Sequence, residues 1–239
     1  MGLRQKIQFY RSINWIKTLY FNYKKFPFAI AKKLPVYFYG PVKFQDISGE
    51  IIIDAPIKRG MIGFGQQYEF NTVHKGFSEI KLAGKIVFKG HAPIGKDYFI
   101  FVGKDAVLHY GHMSTLASGS KIICTNSIII GNYVQTGADT QITDSNFHPM
   151  MNTVTKEVYA INGKVQLGNF NFTGGRVTIM KGTKTPDCCT IASNSLCNND
   201  YTTLGENILI GGMPAKLLKT NISRDWAGEM ADMDRWLIV

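Results

Sequence analysis

Cysteine is scarce, and its placement suits no thiol chemistry. The four thiols, Cys124, Cys188, Cys189 and Cys197, form no CxxC pair. Zinc and dithiol sites need thiols at short fixed spacing, so a metal role is a poor reading and no metal is expected. Small core or corner residues in a reducing compartment fit them better. Long apolar runs are missing too: no stretch approaches the roughly 18 uncharged apolar residues of a membrane span. The N-terminus lacks a compact apolar run followed by a small-residue cleavage site, so no signal peptide is expected and the location is read as cytoplasmic.

Acids are missing from residues 1–45. That segment carries nine bases: Arg4, Lys6, Arg11, Lys17, Lys24, Lys25, Lys32, Lys33 and Lys43. The other 18 bases nearly cancel the 17 acids, so nearly all of the formal net charge of +10 belongs to the N-terminal arm. The arm also holds Phe9, Tyr10, Trp15, Tyr20, Phe21, Tyr23, Phe26 and Phe28. Two readings stand. Basic plus aromatic composition suits peripheral contact with an anionic membrane, at its inner face. Alternatively, the aromatics pack on the rest of the chain or a neighbouring subunit, with the lysines in water. Nucleic acid is not expected as a partner, because no recognised motif or reading helix is present.

What the chain does have is a beat of six. Leu167, Thr173, Ile179, Thr185, Ile191 and Cys197 follow one another at that interval. The next residue is mostly small or turn-forming: Gly168, Gly174, Met180, Pro186, Ala192, Asn198. The fifth place is mostly short: Asn171, Val177, Thr183, Cys189, Ser195, then Tyr201. Helices repeat near 3.6 residues and simple strands at 2, so neither explains six. A coil of short strands joined by tight corners does. In that coil the first residue fills the core. The second takes the bend, where glycine tolerates φ > 0. The fifth sits near a corner. Ile130, Thr136 and Ile142 keep the same spacing, and Leu116, Ile122 and Ile128 keep it in a shifted phase.

The expected fold class is an all-β solenoid, divided three ways. Residues 1–45 form a helix and an extended arm. Residues 46–203 form the coil, with an excursion loop at about 143–166. Residues 204–239 hold a strand, a Gly-Gly-Met-Pro turn and a tail helix. Trp226, Met230, Met233 and Leu237 recur in that helix at helical spacing and read as a packing stripe. Long loops within compact coils are often functional, and this one contains His148.

Four segments resemble hexapeptide-repeat acyltransferases. Leu167-Gly-Asn-Phe-Asn-Phe-Thr-Gly174 is similar to their IGxNxWIG segment, with Phe172 in place of Trp. Ile191-Ala-Ser-Asn-Ser-Leu196 resembles IAANSVV, and Ile210-Gly-Gly-Met-Pro-Ala-Lys216 resembles GGxPAKxI. Gln141 to Met150 resembles the TDxDFHPI loop of the branch found in capsule and O-antigen gene clusters, with Asn146 where Asp is common. The four come in the family's order across Gln141–Lys216. The resemblance implies a left-handed parallel β-helix with three hexads per turn. It also implies a homotrimer with sites between adjacent coils, and acetyl-coenzyme A as donor.

Acyl transfer from a thioester to a hydroxyl needs a base, and an ordinary histidine with pKa about 6.5 is mostly neutral at pH 7. His148 matches the family's catalytic position, with an ordinary loop histidine as the plainer alternative. Asp144 either orients it or caps a turn. The resemblance places the donor against Gly174, Gly175 and Ala192, with Lys216 near the nucleotide phosphates and Lys219 adding charge. The expected acceptor is a hydroxyl of a surface-polysaccharide sugar or its precursor. N-acylation of an amino sugar nucleotide, or a structural or membrane-associated solenoid without catalysis, are the rivals. His74, His91, His109 and His112 read mainly as edge or solvated positions, though His109 and His112 share one hexad region and a cleft there is the alternative. No second imidazole lies near His148 in sequence to build a zinc site.

Overall fold

The computed structural model describes residues 3–70 and 73–237. Its body is a three-sided prism of parallel strands. The first face is a seven-stranded sheet built from Val42–Ile47, Ser78–Leu82, Phe99–Val102, Lys121–Cys124, Gln141–Thr143, Thr178–Ile179 and Leu196–Cys197. The second face contains Glu50–Ile53, Lys85–Phe88, Val107–Tyr110, Ser127–Ile130 and Val165–Leu167. Single bridges from Gln166 to Lys184 and from Lys184 to Asp200 prolong it. The third begins with Val36–Phe38, Ile62–Phe64 and Ala92–Ile94 and ends with Phe172–Thr173, Cys189–Ile191 and Ile208–Gly212. Bridges through Leu116, Thr115 and Gln135 join its two ends. The chain visits the faces in the order first, second, third, turning a corner after each.

The hexad explains why these residues make these rungs. In the last coils Phe172 lies beside Thr190 and Thr178 beside Leu196, each partner three hexads on. First-place residues Leu167, Thr173, Ile179, Thr185, Ile191 and Cys197 are all buried, as are the fifth-place residues Asn171 to Tyr201. Ile80, Ile100, Ile122 and Ile142 stack along one inner wall in neighbouring registers. Burial of each such side chain contributes about 1.5–3 kcal/mol.

The bend does not sit where the sequence reading put it. Phe170, Arg176, Gly182, Cys188 and Asn194 have positive φ, so the fourth place takes the left-handed turn. The second-place glycines are needed for a different reason. A Cβ on Gly131 would lie 2.5 Å from the carbonyl oxygen of Gly168, and one on Gly168 would lie 2.5 Å from that of Pro186. Gly49 and Gly84 meet the next coil in the same way at the corner after the first face. Backbones of successive coils thus approach at the corners more closely than a side chain allows. At the corner after the second face, a ladder of amides holds them together. The Oδ1 atoms of Asn132, Asn169 and Asp187 accept from the N–H groups of His112, Asn132 and Asn169, at 2.8, 2.9 and 2.7 Å.

The coil starts earlier and ends later than the expected 46–203. Val36–Phe38 and Val42–Ile47 are already rungs, and Ile208–Gly212 is another. The early coils are long: Ile62 pairs with Ala92, thirty residues on, so six-residue spacing is diluted there. The N-terminal segment is also more helical than expected. It forms α1 (Leu3–Ser12), α2 (Trp15–Lys25) and the single turn α3 (Phe28–Ala31). The side chain of Asn14 caps α2 by accepting from the N–H of Lys17 at 3.2 Å. Phe21 enters the end of the prism against Phe38, with ring centroids 5.0 Å apart. Helix α4 (Trp226–Leu237) returns along the corner after the second face. Trp226, Met230 and Met233 pack there on Met113, Tyr133 and Phe170; the side chain of Leu237 lies outside the described residues.

The close-approach argument predicts that Gly131→Ala destabilises the fold by about 1–3 kcal/mol, because two backbones must part. Gly76→Ala, where nothing lies within 4 Å of the added carbon, stays within about 0.5 kcal/mol of wild type. Urea melts of the two variants check this.

Candidate active site

Two corners carry the residues singled out from sequence. The corner after the third face is a column of small residues. A Cβ on Gly137 would meet the Gly174 carbonyl group at 2.4 Å, and one on Gly174 would meet the Ser193 N at 2.7 Å. A Cβ on Gly211 would lie 2.8 Å from that of Ala192. Gly137, Gly174, Ala192 and Gly211 therefore form one strip of small residues on which successive coils come close; the first three are half-buried, and Gly211 is buried with Leu218 of the closing strand beside it. Gly175 adjoins it, 3.4 Å by its would-be Cβ from the Ala138 oxygen. Ile208–Gly212 is closed by the antiparallel strand Ala215–Thr220, which sets Lys216 opposite Gly211 and Lys219 opposite Leu209. Both lysines are exposed. Lys216 stands at the end of the small-residue strip, whereas Lys219 lies further along the third face.

The sequence reading missed two features of this corner. Arg176 follows Gly175, is exposed, and donates from Nε to Asn194 Oδ1 at 2.8 Å, so a third cation stands beside the strip. A second excursion, of which residues 65–70 and 73–77 are described, also leaves the prism here, between Ile62–Phe64 and Ser78–Leu82. The carboxylate of Asp97 holds its far end, accepting from Lys75 N–H at 2.7 Å and lying 3.2 Å from His74 Nδ1. Pairs of long coils hide such an excursion, because a missed hexad looks the same as a loop.

His148 lies on the other excursion, at the corner after the first face. Ser145 and Asn162 bridge its base, and Met150–Met151 pairs antiparallel with Val158–Tyr159 above it. His148 is exposed, its N–H donates to Asn146 O at 2.7 Å, and Phe147 before it has φ of 62°. The imidazole is thus presented to solvent on a short hairpin.

Asp144 is fully buried at the root of that hairpin, and the structure does not bring it to His148. Its Oδ1 accepts from the N–H and hydroxyl of Thr125, at 2.8 and 2.9 Å. Its Oδ2 accepts from the N–H groups of Asn126 and Ser127, at 2.8 and 2.7 Å. Four bonds to the preceding coil make it the anchor of the corner, which is the turn-capping alternative rather than the orienting one.

The remaining histidines serve other surfaces. His109 lies on the second face between Val87 and Ile129. His91 and His112 line the corner after the second face, with ring centroids 5.9 Å apart. Tyr133 follows at 5.6 Å, and Phe170 stacks on Tyr133 at 5.3 Å. Burial pushes both imidazoles below the usual histidine range; Lys58 and their mutual proximity lower His91 further, and Asp234 of α4 works the other way. Burial lifts the thiols of Cys124, Cys189 and Cys197 to about 12, so they stay protonated at neutral pH.

A scan of protein-family models and a search of curated proteins return no match. Solved structures do match. The crystal structure of the polySia specific acetyltransferase NeuO is 19% identical with a TM-score of 0.53, covering 83% of this chain and 94% of that one. A hexapeptide-repeat acetyltransferase from Vibrio cholerae matches at 21% identity over 56% of this chain and 71% of that one, with a TM-score of 0.46. The first match agrees with the strand order: the chain has the left-handed parallel β-helix fold found in hexapeptide-repeat acetyltransferases.

Two predictions follow from these corners. Asp144→Ala removes four part-buried hydrogen bonds at the root of the hairpin, each contributing about 0.5–1.5 kcal/mol; a drop in melting temperature and early proteolysis within residues 145–162 are expected. His91 and His112 resist protonation when folded, whereas the unfolded chain takes up those protons near pH 6.5. Their contribution is whole above that pH and is lost as pH falls towards the lowered folded values. Melting temperature should therefore decline from pH 7 to pH 5, and less steeply in His91→Gln.

Proposed function

We propose that this chain moves an acetyl group from acetyl-coenzyme A to a hydroxyl of a surface-polysaccharide sugar or its precursor. The observation that carries the reading is the strip Gly137–Gly174–Ala192–Gly211 ending at Lys216. A pantetheine arm binds largely through its amides and needs close access to backbone; the half-buried small residues Gly137, Gly174 and Ala192 provide that access. Lys216, Arg176 and Lys219 supply charge for the nucleotide phosphates, through charge-assisted bonds. The match in fold to the acetyltransferase NeuO supports the same reading.

His148 is the general base. A neutral ring nitrogen takes the proton of the acceptor hydroxyl as its oxygen attacks the thioester carbonyl. The tetrahedral intermediate collapses, the C–S bond breaks, and the imidazolium returns the proton to the departing thiolate. No covalent enzyme intermediate forms. Asp144 acts through the loop root, fixing where the hairpin leaves the prism, and is a positioning residue.

The strip and the hairpin occupy different corners of the prism, on opposite edges of the first face. A homotrimer resolves this separation: the hairpin of one copy reaches the strip of its neighbour. The site is then completed only on assembly.

His148→Ala is expected to lower the transfer rate about 10²–10⁴-fold while leaving donor affinity intact. Lys216→Gln is expected to weaken donor binding. Rate assays and titration of coenzyme A measure both. An unchanged rate in His148→Ala contradicts the mechanism. A product stable to mild base would be an amide and would replace the hydroxyl acceptor by an amine. A donor that raises no melting temperature would leave a structural solenoid instead.

A further inference from the structure

Helix α2 buries only part of its apolar surface and leaves an apolar row facing out. Surface helices turn their apolar stripe to the core and their polar face to water. Here the inner face carries Thr18 and Asn22 beside Phe21, all three fully buried, so much of it is polar. Thr18 and Asn22 earn that place by closing the edge strand Val36–Phe38. Asn22 Nδ2 donates to Val36 O at 2.7 Å, the Val36 N–H donates to Asn22 Oδ1 at 3.2 Å, and the Phe38 N–H donates to Thr18 Oγ1 at 3.0 Å. An open edge is otherwise a template for unwanted strand pairing. The fold therefore accounts for the polar inner face.

It does not account for the outer one. Ile16, Leu19, Tyr20 and Tyr23 follow one another at helical spacing along the opposite side of α2, and Phe28 of α3 extends the row against Tyr23. Ile16 is 82% exposed and Phe28 70%. Lysines border the row. Lys24 Nζ lies 5.6 Å from the Tyr20 ring centre and Lys32 Nζ 6.0 Å from that of Phe28, with Lys33 exposed nearby in sequence. Contiguous exposed apolar side chains rimmed by charge mark an interaction surface.

We propose that this row docks the protein on a bilayer rich in anionic lipid, with α2 lying in the plane of the headgroups. Charge selects this occupant. Residues 1–45 contain nine bases and no acid. A second copy meeting the row through a two-fold contact would bring like charge to like charge. Phosphate headgroups complement it, while Ile16, Tyr23 and Phe28 enter the apolar boundary and Lys24, Lys32 and Lys33 remain at the phosphate level. Among the described residues no helix is long and apolar enough to cross a membrane, which agrees with lying on it. The packing expected of the arm's aromatics holds for Phe9, Trp15, Phe21 and Phe26, which pack inward, while the row on the opposite side of α2 faces out. The proposal does not depend on the transferase reading.

The test is co-sedimentation of the full chain with phosphatidylcholine vesicles, with and without phosphatidylglycerol. Binding is expected with phosphatidylglycerol and is expected to weaken in high salt. Each lysine near such a surface is worth roughly fivefold in affinity, so Lys24→Gln with Lys32→Gln should lose about 25-fold. Ile16→Glu with Tyr23→Glu should abolish binding, with circular dichroism and melting temperature unchanged because both side chains are exposed. Equal binding by wild type and these variants, or no binding by wild type, overturns the proposal. A wild-type mass in sedimentation velocity that falls in Ile16→Glu with Tyr23→Glu, without vesicle binding, assigns the row to a contact between copies and also overturns it.

Discussion

Backbone against backbone at the corners is the constraint on which the rest depends. Successive coils must stay within hydrogen-bonding distance all the way round, and the tightest places are the bends. At Gly131, Gly137, Gly168 and Gly174 the next coil's backbone comes closer than any Cβ permits. Three consequences follow. The fourth place must adopt the left-handed turn to change direction. The first and fifth places are driven inside. The corner itself is left with little side-chain cover.

The proposed donor site uses that corner. Rigid rungs set Gly137, Gly174 and Ala192 beside Arg176 and Lys216, so in the proposed reading nothing needs to be ordered before a flexible thioester arm lies down there. Preorganisation of this kind lowers the cost of binding. The base we propose is held differently. His148 sits on a hairpin, but the hairpin is rooted through Asp144 into three backbone donors of the preceding coil. A loop supplies reach, and a buried carboxylate supplies its point of departure. At the other end, the same need to satisfy an edge turns Thr18 and Asn22 inward and leaves the apolar side of α2 facing out.

Much of this was legible in the residues. The beat from Leu167 to Cys197 identifies the inward positions and the solenoid, because nothing but burial repeats at six with aliphatic or small residues. Reading the second-place glycines as bends was a misassignment. A glycine required for close approach and one required for positive φ look alike in sequence, and the fourth place hides its role behind Phe170, Arg176, Cys188 and Asn194. The first coils were missed because their length varies, so Val36–Phe38 and Val42–Ile47 carry no hexad signature. The motifs single out Gly174, Ala192 and Lys216, and these fall on one corner. Arg176 was not found, because a lone arginine in a turn carries no pattern. The motif also singles out Asp144, but its partners are groups seventeen to nineteen residues earlier, which spacing cannot reveal.

The claim with most resting on it is that one copy's hairpin meets another copy's glycine strip. A crystal structure of the assembled protein with coenzyme A bound tests it directly. The account predicts the pantetheine along Gly174 and Ala192, with its sulfur beside an imidazole of His148 contributed by the adjoining copy. Coenzyme A seated on a different corner, or a sulfur with no His148 ring within hydrogen-bonding reach of an acceptor bound next to it, would contradict the account.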